Sequence, residues 1–410
     1  MSTFGRSLAA IWLLGLILRL AYAIHQRDWA VIGDAQTFHL EGGFLARGEG
    51  FRRAFEDVPT TEHPPVHVVL IAGLDLIGIG STAGQKVAFA VLGSATPVLL
   101  GLLACRVARV AGIVRPARVG LLAAALGAAY PMLWVADGSL MSETTYGVLV
   151  AAALLAATRA LERSTPVRWV ALGALLGLAA LTRGEAIGLV VLLALPLAYR
   201  ARSWRAAAAT VAATVLVLTP WTLRNLRTFS EPVLISTNSY GIWAGANCRP
   251  TYYGAPIGSW EFSCYGAVPR GDEVRQNLVY RRRGLTYAGA HAGRIPVVVA
   301  ARIGRLLDVY EPWTQGVFLA SAEGRRPAAQ KLALLGWWAL APLALGGALV
   351  LGRRHAHGVL IVLLAPALLV VLVAATTYGS TRFRFAAEPS IVVLAAVALD
   401  ALVARRMARA

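Results

Sequence analysis

Residues 8–24 read LAAIWLLGLILRLAYAI, and residues 33–51 read GDAQTFHLEGGFLARGEGF. The first stretch is too long for the apolar part of a cleavable signal and has no small-residue cleavage site, so it reads as a transmembrane helix. Comparable runs recur along the chain. With the first at about 7–26, spans are expected near 86–105, 118–135, 143–160, 167–182, 185–199, 206–222, 331–352, 357–376 and 388–405. Runs of roughly 20 apolar residues suffice to cross a ~30 Å hydrocarbon layer as helices. They do not alternate as barrel strands must. The expected fold is an all-α polytopic membrane protein with a core of about ten helices.

Composition agrees. Of 410 residues, 57% are hydrophobic and 15% charged, against roughly 45–50% and about 25% in soluble domains. A net charge of +18, from 39 basic and 21 acidic residues, would in a soluble protein suggest nucleic acid. Here the basic residues punctuate apolar helices, so the bilayer is the expected partner. All but two of them, Lys86 and Lys331, are arginines; with the excess of Ala, Gly and Val this suggests a GC-rich, bacterial genome.

The arginines also orient the chain. Arg6, Arg106, Arg109, Arg115, Arg118, Arg159, Arg163, Arg168, Arg200, Arg202, Arg205, Arg353, Arg354, Arg405, Arg406 and Arg409 share one side. The short connections opposite hold Arg183, Arg382 and Arg384 beside Asp137, Glu143, Glu185 and Glu388. Arginine-rich short loops mark the cytoplasm, so both termini are expected inside a bacterial cytoplasmic membrane. Three parts follow: a core of 1–222 that includes an outer loop at 27–85, an outer cap of 223–330, and a helical end of 331–410. Residues 64–79 start with two prolines and carry Asp75, whereas 295–313 mix apolar residues with Arg302, Arg305 and Asp308. Both read as interfacial helices. Cys248 and Cys264 share the second outer loop, where a disulfide is available in an oxidising compartment, and Cys105 lies in an apolar span.

Ionisable groups beside membrane segments are costly and point to function. They gather on the outer side: TTEHPPVH at 60–67, DGSLMSET at 137–144, LTRGEA at 181–186, TPWTLRNLRTF at 219–229, ISTNSYGIWAGANC at 235–248 and TTYGSTRFRFAAEP at 376–389. The segment beginning at Asp34 resembles the first loop of GT-C glycosyltransferases that use polyprenyl-phosphate sugars. The bacterial branch near the protein O-mannosyltransferases and the aminoarabinose transferases is nearest. HPP at 63–65, SE at 142–143, LTRGE at 181–185, PWTLRN at 220–225, STNS at 236–239 and RFR…EP at 382–389 follow in the family's order. One departure is that Asp34 precedes Ala35, where many relatives carry an Asp-Glu pair; Glu41 or Glu62 are candidates for the second carboxylate.

The resemblance implies a GT-C-type core and an inverting transfer of sugar from a polyprenyl-phosphate donor to an envelope glycan, lipid or protein at the outer face. Such chemistry needs a base for the acceptor hydroxyl and cations for the departing phosphate. Asp34 is the expected base, with Asp75 or Glu143 as alternatives. Arg183, Arg224, Arg382, Arg384 and His63 are expected to bind phosphate, since guanidinium forks suit phosphate oxygens. Glu62, Glu143, Glu185 and Asn238 are expected to support them. Trp221, Trp243 and Trp260 could stack on sugar, or anchor at the interface. A divalent metal is left open, and the alternative function is a non-catalytic lipid-carrier transporter or flippase.

Overall fold

The computed structural model describes residues 2–407. Among these, regular structure is helical except for one isolated bridge between Arg52 and Pro59. The chain opens with α1 (Thr3–His25), started by Ser2, whose hydroxyl accepts from the Gly5 N–H. The loop after it then forms α2 (Asp34–Ala46) and α3 (Pro65–Leu76). At ~1.5 Å per residue, the 12 residues of α3 are too short to cross a bilayer.

Two helices, α4 (Thr82–Gly93) and α5 (Ala95–Val110), continue one another as a 29-residue apolar span. After them α6 (Pro116–Ala129) and α7 (Pro131–Val135) form a bent span; with the turn that follows α7 the angle is 53°. Pro131 explains the break, because a proline removes a backbone donor and disfavours helix in the residue before it. Next come α8 (Glu143–Glu162) and α9 (Pro166–Ala180).

The span expected at 185–199 is broken. It consists of a 3-10 turn at Gly184–Ile187, a π segment at Val190–Ala194 and α10 (Leu195–Arg200). Pro196 lacks the N–H that an unbroken α-helix would use there. α11 (Trp204–Thr228) runs past the expected boundary at 222.

The cap carries α12 (Asn238–Ala246), α13 (Arg249–Tyr253), α14 (Glu273–Ala290), α15 (Ile295–Leu306) and α16 (Thr314–Ala322). In α15, Arg302 and Arg305 are buried, so its polar face turns into the cap and not to water. Arg302 donates to the carbonyls of Ala375 and Ala246, and Arg305 to those of Ile257 and Ala255. Buried guanidinium groups thus satisfy carbonyls left open at two helix ends and in the turn at 254–258. Cys248 and Cys264 are joined as a disulfide, and Cys105 is buried and free.

The chain closes with α17 (Pro327–Arg353), α18 (His357–Thr376) and α19 (Glu388–Met407). Among the described residues, six helical stretches have the length and apolarity to cross a membrane, and the bent pair makes a seventh. α19 spans 20 residues but carries Glu388, Asp400, Arg405 and Arg406. The main core lies among α5, α8, α9, α17, α18 and α19, with Leu100, Leu154, Leu172, Leu363 and Val393 fully enclosed. Small residues set the helix spacing. A Cβ at Gly347 would collide with the Leu394 carbonyl, and one at Gly173 with that of Thr210. Close packing through small residues substitutes for hydrophobic force between helices in lipid.

Arg19, inside α1, is fully buried and pairs with Asp137 at 2.9 Å. Gly93 provides the room, since any Cβ there would strike the Asp137 carboxylate.

Candidate active site

Asp34 is the first residue of α2, after Gly33, whose φ of +60° is the left-handed conformation glycine tolerates. The Asp34 side chain does not cap its own helix. Its Oδ2 instead accepts from Arg382 Nη1 at 2.6 Å, linking the loop after α1 to the turn before α19. The Arg382 Nε donates to Glu143 Oε1 at the start of α8. The same Glu143 oxygen accepts from Arg183 Nη1 at 3.0 Å, and Arg183 Nε donates to Glu185 at 2.6 Å. Five residues thus form one row of alternating charge: Asp34, Arg382, Glu143, Arg183 and Glu185. Glu143 is fully enclosed, whereas the Asp34 side chain is 34% exposed. One end of the row opens outward.

His63 lies beside this open end, its Nε2 3.8 Å from Asp34 Oδ1. The ring packs on Phe38, centroids 4.6 Å apart, and neither nitrogen finds a hydrogen-bond partner in the protein. Burial pulls the imidazole down, but Asp34, Glu62 and Glu41 outweigh it and hold His63 up at about 9. Burial also pushes Asp34 up; Arg382 and His63 overcome this and hold its carboxyl well below the usual carboxylate range. Asp34 is therefore ionised and His63 protonated at neutral pH. Burial pushes Glu41 up to about 8 despite His63, and Glu62 is raised for the same reason. His67, in α3, is the neutral counterpart, lowered to about 4 by burial. Its Nε2 donates to the Leu140 carbonyl at 3.0 Å, so Nδ1 accepts from the Thr145 hydroxyl at 3.0 Å. That ring fastens α3 to the start of α8.

Glu323 and Arg325, between α16 and α17, complete the surroundings and have no cue in the sequence. The turn is seated close: a Cβ at Gly33 would lie 3.2 Å from the Ala322 carbonyl, and one at Gly324 3.5 Å from that of Ala30. Glu323 faces Arg325 and Arg382 but also Glu143 and Asp34; burial is the main reason its carboxyl is raised. Arg325 is 2% exposed, 3.6 Å from Glu323, and its Nε and Nη2 have no hydrogen-bond partner. A buried guanidinium with free donors is a ready anion ligand.

Other expected residues lie elsewhere. Arg224 donates to the carbonyls of Thr60 at 2.7 Å and Phe51 at 3.1 Å, and packs on Phe51, Trp221 and Phe229. It clamps the loop between α2 and α3 onto α11. Arg384 is buried between Asp308 at 2.6 Å and Glu388 at 2.7 Å, over the Trp337 ring. Both guanidinium groups are held by these protein partners, apart from the Asp34 row. Asn238 gives its backbone N–H to the Glu62 carbonyl at 3.3 Å, and its side chain is exposed. Asp75, the alternative base, accepts from Gln85 at 2.6 Å, and Gln85 in turn meets His39. Trp221 donates to the Ile235 carbonyl at 2.6 Å.

The cap is tied to this loop by Glu273, a residue sequence reasoning did not single out. Its carboxylate accepts from the hydroxyls of Thr60 and Thr237 at 2.6 Å, the Thr61 N–H at 3.1 Å and Arg53 at 3.2 Å. The donors present do not fit a divalent metal. Among the described residues no three His, Cys, Asp or Glu side chains are disposed to hold one. Asp34 is already taken by the Arg382 guanidinium.

No protein-family model and no curated protein sequence matches the chain. Solved structures do. The oligosaccharyltransferase of Archaeoglobus fulgidus, in a complex with Zn and sulfate, is similar with a TM-score of 0.55 at 15% identity, over 96% of this chain and 50% of that one. AglB, the oligosaccharyltransferase of the same archaeon, in complex with an inhibitory peptide and a dolichol-phosphate, gives 0.54 at 16% identity over 98% and 51%. ArnT from Cupriavidus metallidurans, bound to undecaprenyl phosphate, gives 0.45 at 16% identity over 98% and 78%. The chain thus spans about half the length of the archaeal enzyme. The chain shares its fold with the matched part of the archaeal oligosaccharyltransferase.

Proposed function

We propose that this GT-C-fold membrane protein is an inverting glycosyltransferase that takes a sugar from a polyprenyl-phosphate donor and passes it to an acceptor outside the cytoplasm. The observation that carries the reading is the open end of the charged row: an ionised carboxylate, Asp34, 2.6 Å from a guanidinium, Arg382, itself anchored on buried Glu143. The archaeal neighbour was solved with a dolichol-phosphate, which supports a lipid phosphate as donor. A flippase or carrier would place its charges at the middle of broken spans. Here they gather on the turns that join helices, which favours the transferase.

The chemistry follows from the geometry. The acceptor oxygen attacks the anomeric carbon as the bond to the phosphate oxygen breaks, so the bonding pair leaves with the lipid phosphate. Asp34 takes the acceptor's proton. Negative charge growing on the phosphate meets Arg382 and the open donors of Arg325, preorganised in a site largely shut off from water. One displacement inverts the anomeric centre.

Arg382 has a second consequence. While it grips Asp34, that carboxylate is a weak base. A donor phosphate competing for the same guanidinium loosens the grip and raises Asp34 basicity, so the base is released when the donor is present.

The outer-face location rests on the arginine bias, which puts the Asp34 row opposite the arginine-rich loops. The test is product analysis. Reconstituted protein supplied with a synthetic polyprenyl-phosphate sugar and envelope extract should release free polyprenyl phosphate and form a linkage of inverted anomeric configuration. Retained configuration, or a donor that stays intact with every envelope fraction, overturns the reading.

A further inference from the structure

A second charged site lies across the bundle from the Asp34 row. α19 starts at Glu388, near the row, and runs 20 residues to its far end, about 30 Å at 1.5 Å per residue. There a cleft of about 490 Å³ opens between the α5–α6 turn, the end of α17 and the last turns of α19. Five guanidinium groups line it, from Arg115, Arg118, Arg353, Arg354 and Arg405, against one carboxylate, Asp400. Asp400 is already used, paired with Arg118 Nε at 2.5 Å. Arg354 donates to the Gly112 carbonyl at 3.0 Å and so fixes the end of α17 to the α5–α6 turn. Among the described residues Arg115, Arg353 and Arg405 form no ion pair.

Arginines at span ends are expected from topology, and Arg353 and Arg405 also suit the negative ends of α17 and α19. Neither reason makes arginines from three separate chain segments converge on one cavity. The walls between them are apolar, with Val350, Val397 and Ala404, and Val114 and Met407 stand 89% and 60% exposed at the rim. A ligand that satisfies both parts carries an anionic head and a hydrocarbon tail.

We propose that this cleft binds the headgroup of an anionic phospholipid from the leaflet opposite the Asp34 row. Guanidinium forks match the phosphodiester oxygens, and basic pockets between transmembrane helices suit such headgroups. The lipid bridges α6, α17 and α19, and so bears on α19, whose other end abuts the turn carrying Arg382. The site is independent of the transferase reading.

The experiment uses the full chain in detergent, with bound lipid counted by native mass spectrometry after exchange into phosphatidylcholine or phosphatidylglycerol. The double variant Arg353→Gln/Arg405→Gln leaves every ion pair described above intact. The control Arg200→Gln/Arg202→Gln removes the same charge from a separate cleft beside α10 and α11. Phosphatidylglycerol should be retained over phosphatidylcholine by the wild type and by the control. The Arg353/Arg405 variant should retain it about 30-fold less. Equal retention in all three proteins, or equal loss in both variants, overturns the site. Stabilisation of the wild type by millimolar inorganic phosphate equal to that by phosphatidylglycerol overturns the lipid as ligand.

Discussion

Glu143→Gln probes the row at its centre. The wild-type carboxylate is fully enclosed and accepts from both Arg382 and Arg183, the latter at 3.0 Å. Breaking a buried ion pair by removing one partner costs about 3–5 kcal/mol. Each stranded guanidinium keeps a second carboxylate at 2.6 Å, Asp34 for Arg382 and Glu185 for Arg183. The lower end, about 3 kcal/mol, is therefore expected. Glu185→Gln is the internal reference. That side chain is 21% exposed and serves Arg183 alone, so its loss should cost about 1 kcal/mol or less. Equilibrium unfolding of both variants in the same mixed micelles gives the comparison. Turnover by the folded fraction of Glu143→Gln should also fall, because Arg382 then settles wholly on Asp34. A Glu143→Gln protein no less stable than Glu185→Gln would refute the hub.

Rising pH should weaken the fold through Glu41, which burial holds up at about 8 against an ordinary value of 4.5. The unfolded chain ionises first, so stability falls as pH rises from about 4.5 to about 8 and then levels off. Melting curves of Glu41→Gln should be flatter over that window, and curves parallel to the wild type would count against a buried acid. His63 adds to the alkaline loss, since its contribution is complete below 6.5 and disappears as pH passes about 9. Arg384→Ala should destabilise by about 3–5 kcal/mol, leaving Asp308 and Glu388 unpaired. Donor affinity of the protein that remains folded should not change, and a selective loss of affinity would return Arg384 to the donor site. Reduction of the Cys248–Cys264 bond should shift gel mobility and free two thiols for alkylation, with Cys105 buried as the third. An unchanged thiol count after reduction would show that the bond does not form.

The helical membrane fold was legible because hydropathy is a local property of the chain. The stretch at 357–376, which holds no Asp, Glu, Lys or Arg, returns as one helix, α18. The span at 185–199 was legible in place but not in form, because Pro196 and the π segment respond to backbone donors and not to apolarity. The site was half legible. Asp34, Glu143, Arg183, Glu185 and Arg382 each stand out as charged groups at span ends, although Asp34 and Arg382 are 348 positions apart. Arg224 and Arg384 carry the same signal and do different work, since sequence shows a charge near the interface but not which carboxylate or carbonyl claims it. Glu323 and Arg325 sit in a run, SAEGRRP, that reads as a solvated turn. Gly33 and Gly324, both at positive φ, let that run pack against the segment that leads into α2.

Asp34→Asn in reconstituted protein, assayed by release of polyprenyl phosphate under single-turnover conditions, tests the chemistry at its source. With the carboxylate gone and Arg382 freed for phosphate, donor should bind at least as tightly while the transfer rate falls about 10²–10⁴-fold. Transfer near the wild-type rate would mean that the acceptor's proton leaves by another group.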